Sequence, residues 1–289
     1  LPESETIAMS QRSRELQSQG KDIINLSVGE PDFPTPEHVK EAAHQAIDDN
    51  FTHYPPVPGI PELREAIAKK FKRENDLEYK PSQIVVSNGG KQALANAIYS
   101  LIDPGDEVLV PAPYWVSYPA MINLAEGKPV FLNAGIDQDF KITPEQLDEA
   151  ITPQTKVLLL NSPNNPSGSV FTEKELAELA KVLEKHPHVF VISDEIYEYI
   201  VYEDPHHSIA SFPGMKDRVV IVNGVSKGFS MTGWRIGYIA APEWIASACS
   251  RLQGQYTSGA CGISQKATLA AINGPSDETL AMIDAFHRR

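Results

Sequence analysis

Short, wholly apolar segments alternate with longer amphipathic segments between residues 84 and 241, and this alternation limits the possible folds more than any other feature of the chain. A strand that is apolar throughout is typical of a parallel sheet, because both of its sides are buried. The intervening segments predict helices on the two faces of that sheet. We therefore predict an α/β fold in which a mostly parallel sheet lies between two helical layers, an αβα sandwich. The predicted strands are 84–87, 107–110, 129–132, 156–160, 189–193 and 219–223, followed by an apolar run over 236–241.

Two helices are predicted from capping boxes, in which Thr143 stands three residues before Gln146 and Thr172 three residues before Glu175. Each threonine can accept the amide of the third residue, whose side chain bonds back to the threonine amide.

Near the N-terminus, residues 23–28 are predicted to form a short strand, and Thr35 to cap a helix over 36–50 with Pro36 at its first position. A proline-rich loop over 51–60 follows. The other predicted helices are 7–19, 61–75, 90–102, 114–125, 242–252, 262–273 and 277–289.

Charge and cysteine content argue against several classes of partner. The formal charge of −13 at pH 7 is unfavourable for binding nucleic acid. No apolar run reaches the length of a membrane span, and residues 1–10 lack a signal-peptide pattern. Cys249 and Cys261 form neither a disulfide framework nor a metal motif. We therefore expect a cytoplasmic protein with reduced thiols and no metal or membrane partner.

Lys227 and Arg235 follow the predicted strand 219–223, and ligands bind at the carboxyl ends of strands in such folds. A partly desolvated lysine can lose its proton and attack a carbonyl group. An arginine fork can hold a phosphate through two hydrogen bonds. The pair suggests a phosphate-bearing aldehyde held as a Schiff base, which describes pyridoxal 5′-phosphate. The alternative is that Lys227 is a solvated loop lysine and Arg235 a surface arginine, since such pairs also occur at this spacing.

Asp194 and Tyr197 follow the strand 189–193. A carboxylate beside a pyridine nitrogen raises the pKa of that nitrogen and keeps the ring cationic. Tyr197 is placed to reach a ring hydroxyl from the same side. The alternatives are a helix cap for Asp194 and an ordinary half-buried side chain for Tyr197.

Three further strands are followed by residues suited to a flat, phosphorylated ligand. Asn165 lies in a turn rich in proline, where it can bond a ring oxygen, or serve the turn alone. Gly90 and Lys91 open a helix, whose free amides and dipole attract phosphate. Trp115 can stack on a flat ring, or simply fill the core.

The motifs GGKQAL, PYWVSYP, NNPSG and SDEIY occur in this order before the lysine segment, and the set in this order resembles the class I aminotransferases of PLP fold type I. The segments SVGEPDF and GIPELR are most similar in sequence to those of the bacterial aspartate aminotransferase subgroup. The resemblance extends from about residue 24 to about residue 271.

This resemblance implies a transaminase that uses pyridoxal 5′-phosphate to exchange an amino group between aspartate or glutamate and 2-oxo acids. Lys227 would form the internal aldimine and move a proton at the substrate Cα. Asp194 would pair with the pyridine nitrogen, and Tyr197 and Asn165 would hold the ring hydroxyl oxygen.

The same resemblance implies a phosphate site formed by Arg235, Gly90, Lys91 and Ser226, with Trp115 stacked on the ring. Substrate contacts would come from Gly29, Lys91, Trp115 and Asn165. Tyr54 would reach the phosphate of the neighbouring subunit, so that a homodimer with shared active sites is required. The loop 253–259 would also approach from the other subunit, and with no arginine there Lys91 would be the main charge for a distal carboxylate.

The family's domain plan implies an N-terminal arm and part of a small domain over 1–45, a large cofactor-binding domain over 46–275, and the start of a helix leading to the small domain over 276–289. The arginine that binds the α-carboxylate in the family lies beyond that point. We expect poor amino-acid affinity and little turnover if these residues are the whole molecule, and full activity if a tail follows.

Other activities share most of these residues. An aromatic, prephenate or kynurenine-type aminotransferase is the nearest alternative, and a lyase of the same fold is a more distant one. A transcription regulator with an aminotransferase-like domain would need a basic DNA-binding module, which the acidic charge disfavours.

Overall fold

The computed structural model describes residues 5–26, 29–203 and 205–289, and within them seven strands form one sheet. The strands are β1 (Ile84–Ser87), β2 (Glu107–Ala112), β3 (Lys128–Asn133), β4 (Thr155–Asn161), β5 (Phe190–Asp194), β6 (Val219–Gly224) and β7 (Gly237–Ala240). The helices are α1 (Glu5–Ser18), α2 (Glu37–Asp48), α3 (Pro61–Asn75), α4 (Gly89–Leu101), α5 (Ser117–Leu124), α6 (Pro144–Ala150), α7 (Glu173–Lys185), α8 (Glu243–Tyr256), α9 (Gly262–Asn273) and α10 (Asp277–Arg288).

The sheet has the order β1-β7-β6-β5-β4-β2-β3, and β7 is antiparallel to both of its neighbours while the other pairs are parallel. The predicted α/β fold with a mostly parallel sheet is therefore confirmed. Since β2, β4, β5 and β6 run in one direction, their carboxyl ends lie at the same edge of the sheet. This edge collects the loops that carry the predicted site residues.

Two hydrophobic cores lie on opposite faces of the sheet, because successive strand residues point to opposite sides. On β2, Leu109 belongs to one core, and Val108 and Val110 belong to the other. The first core includes residues of α2, α3, α7 and α9, and the second includes residues of α4, α5 and α8. The two helical layers predicted from the sequence are thus present.

The capping boxes are also confirmed, since the hydroxyls of Thr143 and Thr172 accept the amides of Gln146 and Glu175 at the starts of α6 and α7. The predicted strand over 23–28 is wrong for its described part. Residues 23–26 have no regular secondary structure, and residues 27 and 28 lie outside the described residues. A strand needs a neighbouring strand to accept and donate its backbone hydrogen bonds, and the β-branched residues Ile23 and Ile24 cannot supply that partner.

Thr35 does not cap α2, which begins at Glu37 with Pro36 as its N-cap. The Thr35 hydroxyl instead donates a 2.7 Å hydrogen bond to the carbonyl of Ser230 and accepts one of 3.0 Å from the indole of Trp234. A tertiary contact has therefore replaced the local cap. It ties the N-terminal segment to the loop after β6.

Two other boundaries differ from the prediction. Helix α5 begins at Ser117 and not at residue 114, because β2 extends to Ala112 and residues 113–116 form the turn between them. The predicted loop 253–259 is helical over its first four residues, which complete α8. Gln253 is fully buried there and its amide donates to Val57 and Val86, so tertiary bonds extend the helix.

Among the described residues, none of the helices combines the length and the apolar character that crossing a bilayer demands. In the same part of the chain, no group of three or more His, Cys, Asp or Glu side chains is arranged to hold a metal ion.

Candidate active site

Lys227 lies in the loop after β6 at the carboxyl edge of the sheet. Its Nζ donates a hydrogen bond to the carbonyl of Gly29 and lies 5.7 Å from the centroid of the Tyr197 ring. Burial lowers the pKa of the Lys227 amine, the Glu30 carboxylate opposes this effect, and the positive charge of Arg235 adds to it. A lysine with a lowered pKa holds a larger fraction of the neutral, nucleophilic amine near neutral pH.

Asp194 ends β5 and is buried. Its Oδ2 accepts a 2.8 Å hydrogen bond from the Tyr118 hydroxyl, and its Oδ1 accepts the amide of Ile196 at 3.3 Å. Burial raises the pKa of Asp194 to about 6, despite the opposing effect of the two hydrogen bonds. A buried carboxylate with this pKa is ionised near neutral pH, and among the described residues it has no cationic partner, so a cationic group bound beside it would be strongly favoured.

Tyr197 and Asn165 come from different strands and meet at the same edge. The Asn165 side-chain amide donates a 3.2 Å hydrogen bond to the Tyr197 hydroxyl. Asn161, at the end of β4, connects the Asn165 turn to Asp194. Its Oδ1 accepts a hydrogen bond from the backbone amide of Asn165 at 2.8 Å, and its Nδ2 donates to the backbone carbonyl of Asp194 at 2.9 Å. Burial, and then the charge of Asp194, raises the pKa of Tyr197 to about 12, so the phenol stays protonated.

The N-terminus of α4 lies against Arg235. Gly89 has a φ of +80°, and a Cβ there would lie 2.3 Å from Nη2 of Arg235. A Cβ on Gly237 would lie 2.3 Å from the amide nitrogen of Gly90. Only glycine permits this close approach, which places a guanidinium beside the free amides of a helix N-terminus. Arg235 itself has a φ of +58°, and its Nη1 donates to the carbonyl of Thr232 at 2.9 Å.

Lys91 and Trp115 form a second pair in the same region. The Lys91 Nζ lies 4.8 Å from the centroid of the Trp115 ring, which packs edge-on against Tyr118 at 5.5 Å. Burial, and then the charge of Arg235, lowers the pKa of Lys91. The indole is therefore close to both the Asp194 cluster, through Tyr118, and the basic end of α4.

The structure thus brings most of the predicted residues together around one edge of the sheet, with Ser226 buried immediately before Lys227. Tyr54 is the exception: it lies in the proline-rich loop with 97% of its surface exposed. The sequence-based predictions did not include Tyr118 or Asn161. Tyr118 lies within the motif PYWVSYP and Asn161 lies three residues before NNPSG, but nothing in the sequence distinguishes them from their neighbours.

A mostly parallel α/β sheet with a lysine whose pKa is lowered by burial, a buried carboxylate and a basic helix N-terminus at its carboxyl edge defines an enzyme of the α/β class with its site at the strand ends. Residues 21–289 match the family described as "Aminotransferase class I and II". The chain belongs to this family of aminotransferases.

Individual relatives agree with this assignment. The aspartate/prephenate aminotransferase of Cereibacter sphaeroides is 50% identical over 99% of this chain and 72% of its own length, and that of Nitrosomonas europaea is 48% identical over the same shares. Among solved structures, the aspartate aminotransferase of Rhizobium meliloti superposes with a TM-score of 0.96 at 44% identity, covering 100% of this chain and 72% of that one. The Thermus thermophilus aspartate aminotransferase with maleate gives a TM-score of 0.95 at 43% identity, covering 100% and 74%.

Proposed function

We propose that this protein is a pyridoxal 5′-phosphate-dependent transaminase that exchanges an amino group between aspartate or glutamate and 2-oxo acids. The observation that carries the proposal is the buried carboxylate of Asp194, which no cation among the described residues neutralises, at the same edge of the sheet as the Lys227 amine, whose pKa is lowered by burial. A cationic ring nitrogen and an aldehyde on one small molecule would satisfy both groups.

The donors and acceptors at the site fit this cofactor. Asp194 would hold a protonated pyridine nitrogen, and Tyr197 with Asn165 would hold the ring hydroxyl oxygen. Trp115 offers the flat apolar surface on which a ring can stack. Each of these side chains is already fixed by a contact with another site residue, as in a preformed pocket.

The phosphate would bind at the start of α4. Its partners would be the guanidinium of Arg235, the amides near Gly90 and Lys91, and the hydroxyl of Ser226. Helix N-termini favour anions through their free amides and dipole, and an arginine fork adds charge-assisted hydrogen bonds. Gly89 and Gly237, which allow Arg235 and β7 to approach the start of α4, form the cradle for the phosphate.

Lys227 acts on the substrate as a base and an acid. When bound, pyridoxal phosphate supplies an electron-withdrawing ring that stabilises negative charge at the substrate Cα. Lys227, as a neutral amine, would take the proton from that carbon and return it to the cofactor carbon on the other side of the substrate nitrogen. The Gly29 carbonyl accepts a hydrogen bond from Nζ and so orients the amine, while the ionised Asp194 keeps the ring nitrogen cationic.

Lys91 is the proposed determinant of substrate choice. Its charge lies beside Trp115 near the ring site, where it can bind the distal carboxylate of aspartate or glutamate. Gly29 would pass near the α-carboxylate, and Trp115 and Asn165 would line the substrate site. Prephenate is a second candidate substrate, favoured by relatives about half identical to this chain whose names include it.

We also propose a homodimer with shared active sites. The exposed phenol of Tyr54 makes it available to a neighbouring subunit, where it would reach the phosphate. The domain division at residues 45 and 275 and the cytoplasmic location stay predictions.

The proposal is tested by adding single amino acids to purified protein with pyridoxal phosphate and recording the cofactor's absorption spectrum. Aspartate and glutamate are expected to convert the bound cofactor to its amine form, and 2-oxo acids, including prephenate, to reverse the change. No spectral change with any amino acid would contradict a transaminase. A response confined to aromatic amino acids would contradict the dicarboxylate preference.

A further inference from the structure

A pair of opposite charges is buried behind the candidate site, away from the groups assigned to the reaction. Lys70, on α3, has 0% of its surface exposed, and its Nζ forms an ion pair with the buried carboxylate of Glu198. The same Nζ donates to Oδ1 of Asn75 at 3.0 Å, and the Asn75 amide lies 3.3 Å from the second oxygen of Glu198. Desolvating two charges is costly, and well-packed apolar residues are often at least as stable, so stability alone does not account for this pair.

The pair is connected to the loop that carries Lys227. Lys70 Nζ lies 3.5 Å from Oε2 of Glu74, and that oxygen accepts a 2.6 Å hydrogen bond from the Tyr199 hydroxyl. The Tyr199 ring lies directly under Gly228, where a Cβ would be only 2.5 Å from its Cδ2. It also packs edge-on against Phe229 at 5.3 Å. Tyr199 therefore supports the two residues that follow Lys227.

The segment from Asp194 to Tyr199 has two sides with different partners. Asp194 and Tyr197 contact the candidate site, through Tyr118 and Asn165. Glu198 contacts the buried Lys70 of α3, and Tyr199 contacts Glu74, a solvent-exposed residue on the same helix. Glu195, beside them, is held by hydrogen bonds from Ser193 (2.8 Å), Ser208 (2.7 Å) and His206 (3.0 Å).

We infer that the Lys70–Glu198 pair is a positioning device for the active site: it fixes Tyr199 beneath Gly228 and thereby holds Lys227 in its place relative to Asp194 and Tyr197. An apolar pair would fill the same space but would not select one orientation of the segment. The hydrogen bonds of Asn75 with Lys70 and Glu198, and that of Tyr199 with Glu74, have direction, and so they select a single arrangement. The catalytic part of this inference depends on the role proposed above for Lys227.

The test removes both charges together, in Lys70→Met/Glu198→Leu, so that no unpaired charge remains in the core. We expect a melting temperature close to that of the unaltered protein, with amide exchange of residues 225–230 faster by about tenfold or more. We also expect kcat with aspartate to fall about tenfold or more, because small displacements of a reacting group are costly to the rate. The matched control is Lys69→Met/Glu65→Leu, which removes an exposed pair on the same helix and is expected to change neither.

The inference is overturned if the folded double variant keeps both the original exchange at 225–230 and the original kcat. If that variant does not fold, Tyr199→Phe decides, since it removes the hydroxyl that is bonded to Glu74 and leaves the ring under Gly228. The same local acceleration there supports the inference, and unchanged exchange overturns it. Exchange is measured without substrate, so an inactive parent protein would refute the proposed function while leaving the result for the pair readable.

Discussion

Tyr118, on α5, donates a 2.8 Å hydrogen bond to Oδ2 of Asp194 at the end of β5, and both side chains are buried. Burial raises the pKa of Asp194 to about 6, and the bond from Tyr118 limits that rise. The carboxylate is therefore charged near neutral pH, but only at a cost that a bound cation would relieve. This balance makes the pair sensitive to pH and to substitution.

Asp194→Asn is expected to stabilise the cofactor-free protein while abolishing its activity. The pKa of Asp194 is about 6 in the folded protein, against 3.8 for an ordinary aspartate, so between these pH values the folded state binds more protons than the unfolded state. The ionised carboxylate therefore lowers the free energy of unfolding fully above pH 6, and this loss vanishes below about pH 4. This difference corresponds to roughly 3 kcal/mol of unfolding free energy. Urea unfolding at several pH values measures it, and a variant less stable than its parent at pH 8 would contradict the argument.

Tyr118→Phe removes the donor that limits the pKa of Asp194. That pKa is expected to rise further, so the acidic limb of the kcat/KM profile moves to higher pH by about one unit. Activity should recover at alkaline pH, because Asp194 is ionised there in both proteins. An unmoved acidic limb would show that the limb reports another group.

Lys227→Ala is expected to lose covalent attachment of pyridoxal phosphate, because Lys227 is the amine that the proposal joins to the aldehyde. Borohydride reduction followed by mass spectrometry of peptides locates the attachment. Lys181→Ala, an exposed lysine on α7, serves as the control and should retain the label at Lys227. A reduced adduct on another lysine of Lys227→Ala at the parent's yield would refute the assignment.

Gly237→Ala is expected to destabilise the protein and weaken cofactor binding. The added methyl would lie 2.3 Å from the amide nitrogen of Gly90, and this backbone atom cannot move aside without displacing the start of α4. Overpacking of this kind costs about 1–3 kcal/mol. Gly233→Ala is the matched control, since its Cβ has no atom within 4 Å. Thermal melts and a pyridoxal phosphate titration compare the two, and equal behaviour would argue against the cradle.

Lys91→Met is expected to change substrate preference. Losing a charge-assisted bond to a distal carboxylate should lower kcat/KM for aspartate by about ten- to a hundredfold, and change that for phenylalanine much less. Equal losses for both substrates would place Lys91 on the phosphate and not on the side chain of the substrate.

Contacts between residues that are close along the chain could be predicted from the sequence, and contacts between distant residues could not. The capping boxes at Thr143 and Thr172 were predicted because both partners lie within one turn of helix. The predicted cap at Thr35 was wrong because its hydroxyl bonds Ser230, nearly two hundred positions away along the chain. Tyr118 and Asn161 could not be singled out, since their role depends on reaching Asp194 from other elements, α5 and β4.

The sequence by itself determined the alternating strands and helices and the presence of Lys227, Asp194 and Asn165 at strand ends, because periodicity and parallel topology follow from local apolar patterns. Only the tertiary structure decided which side chains meet. Burial raised the pKa of Asp194 and lowered that of Lys227, and the ion pair of Lys70 with Glu198 joined residues 128 positions apart. Desolvation and contact depend on the packed neighbours of a group, which the order of residues along the chain does not specify.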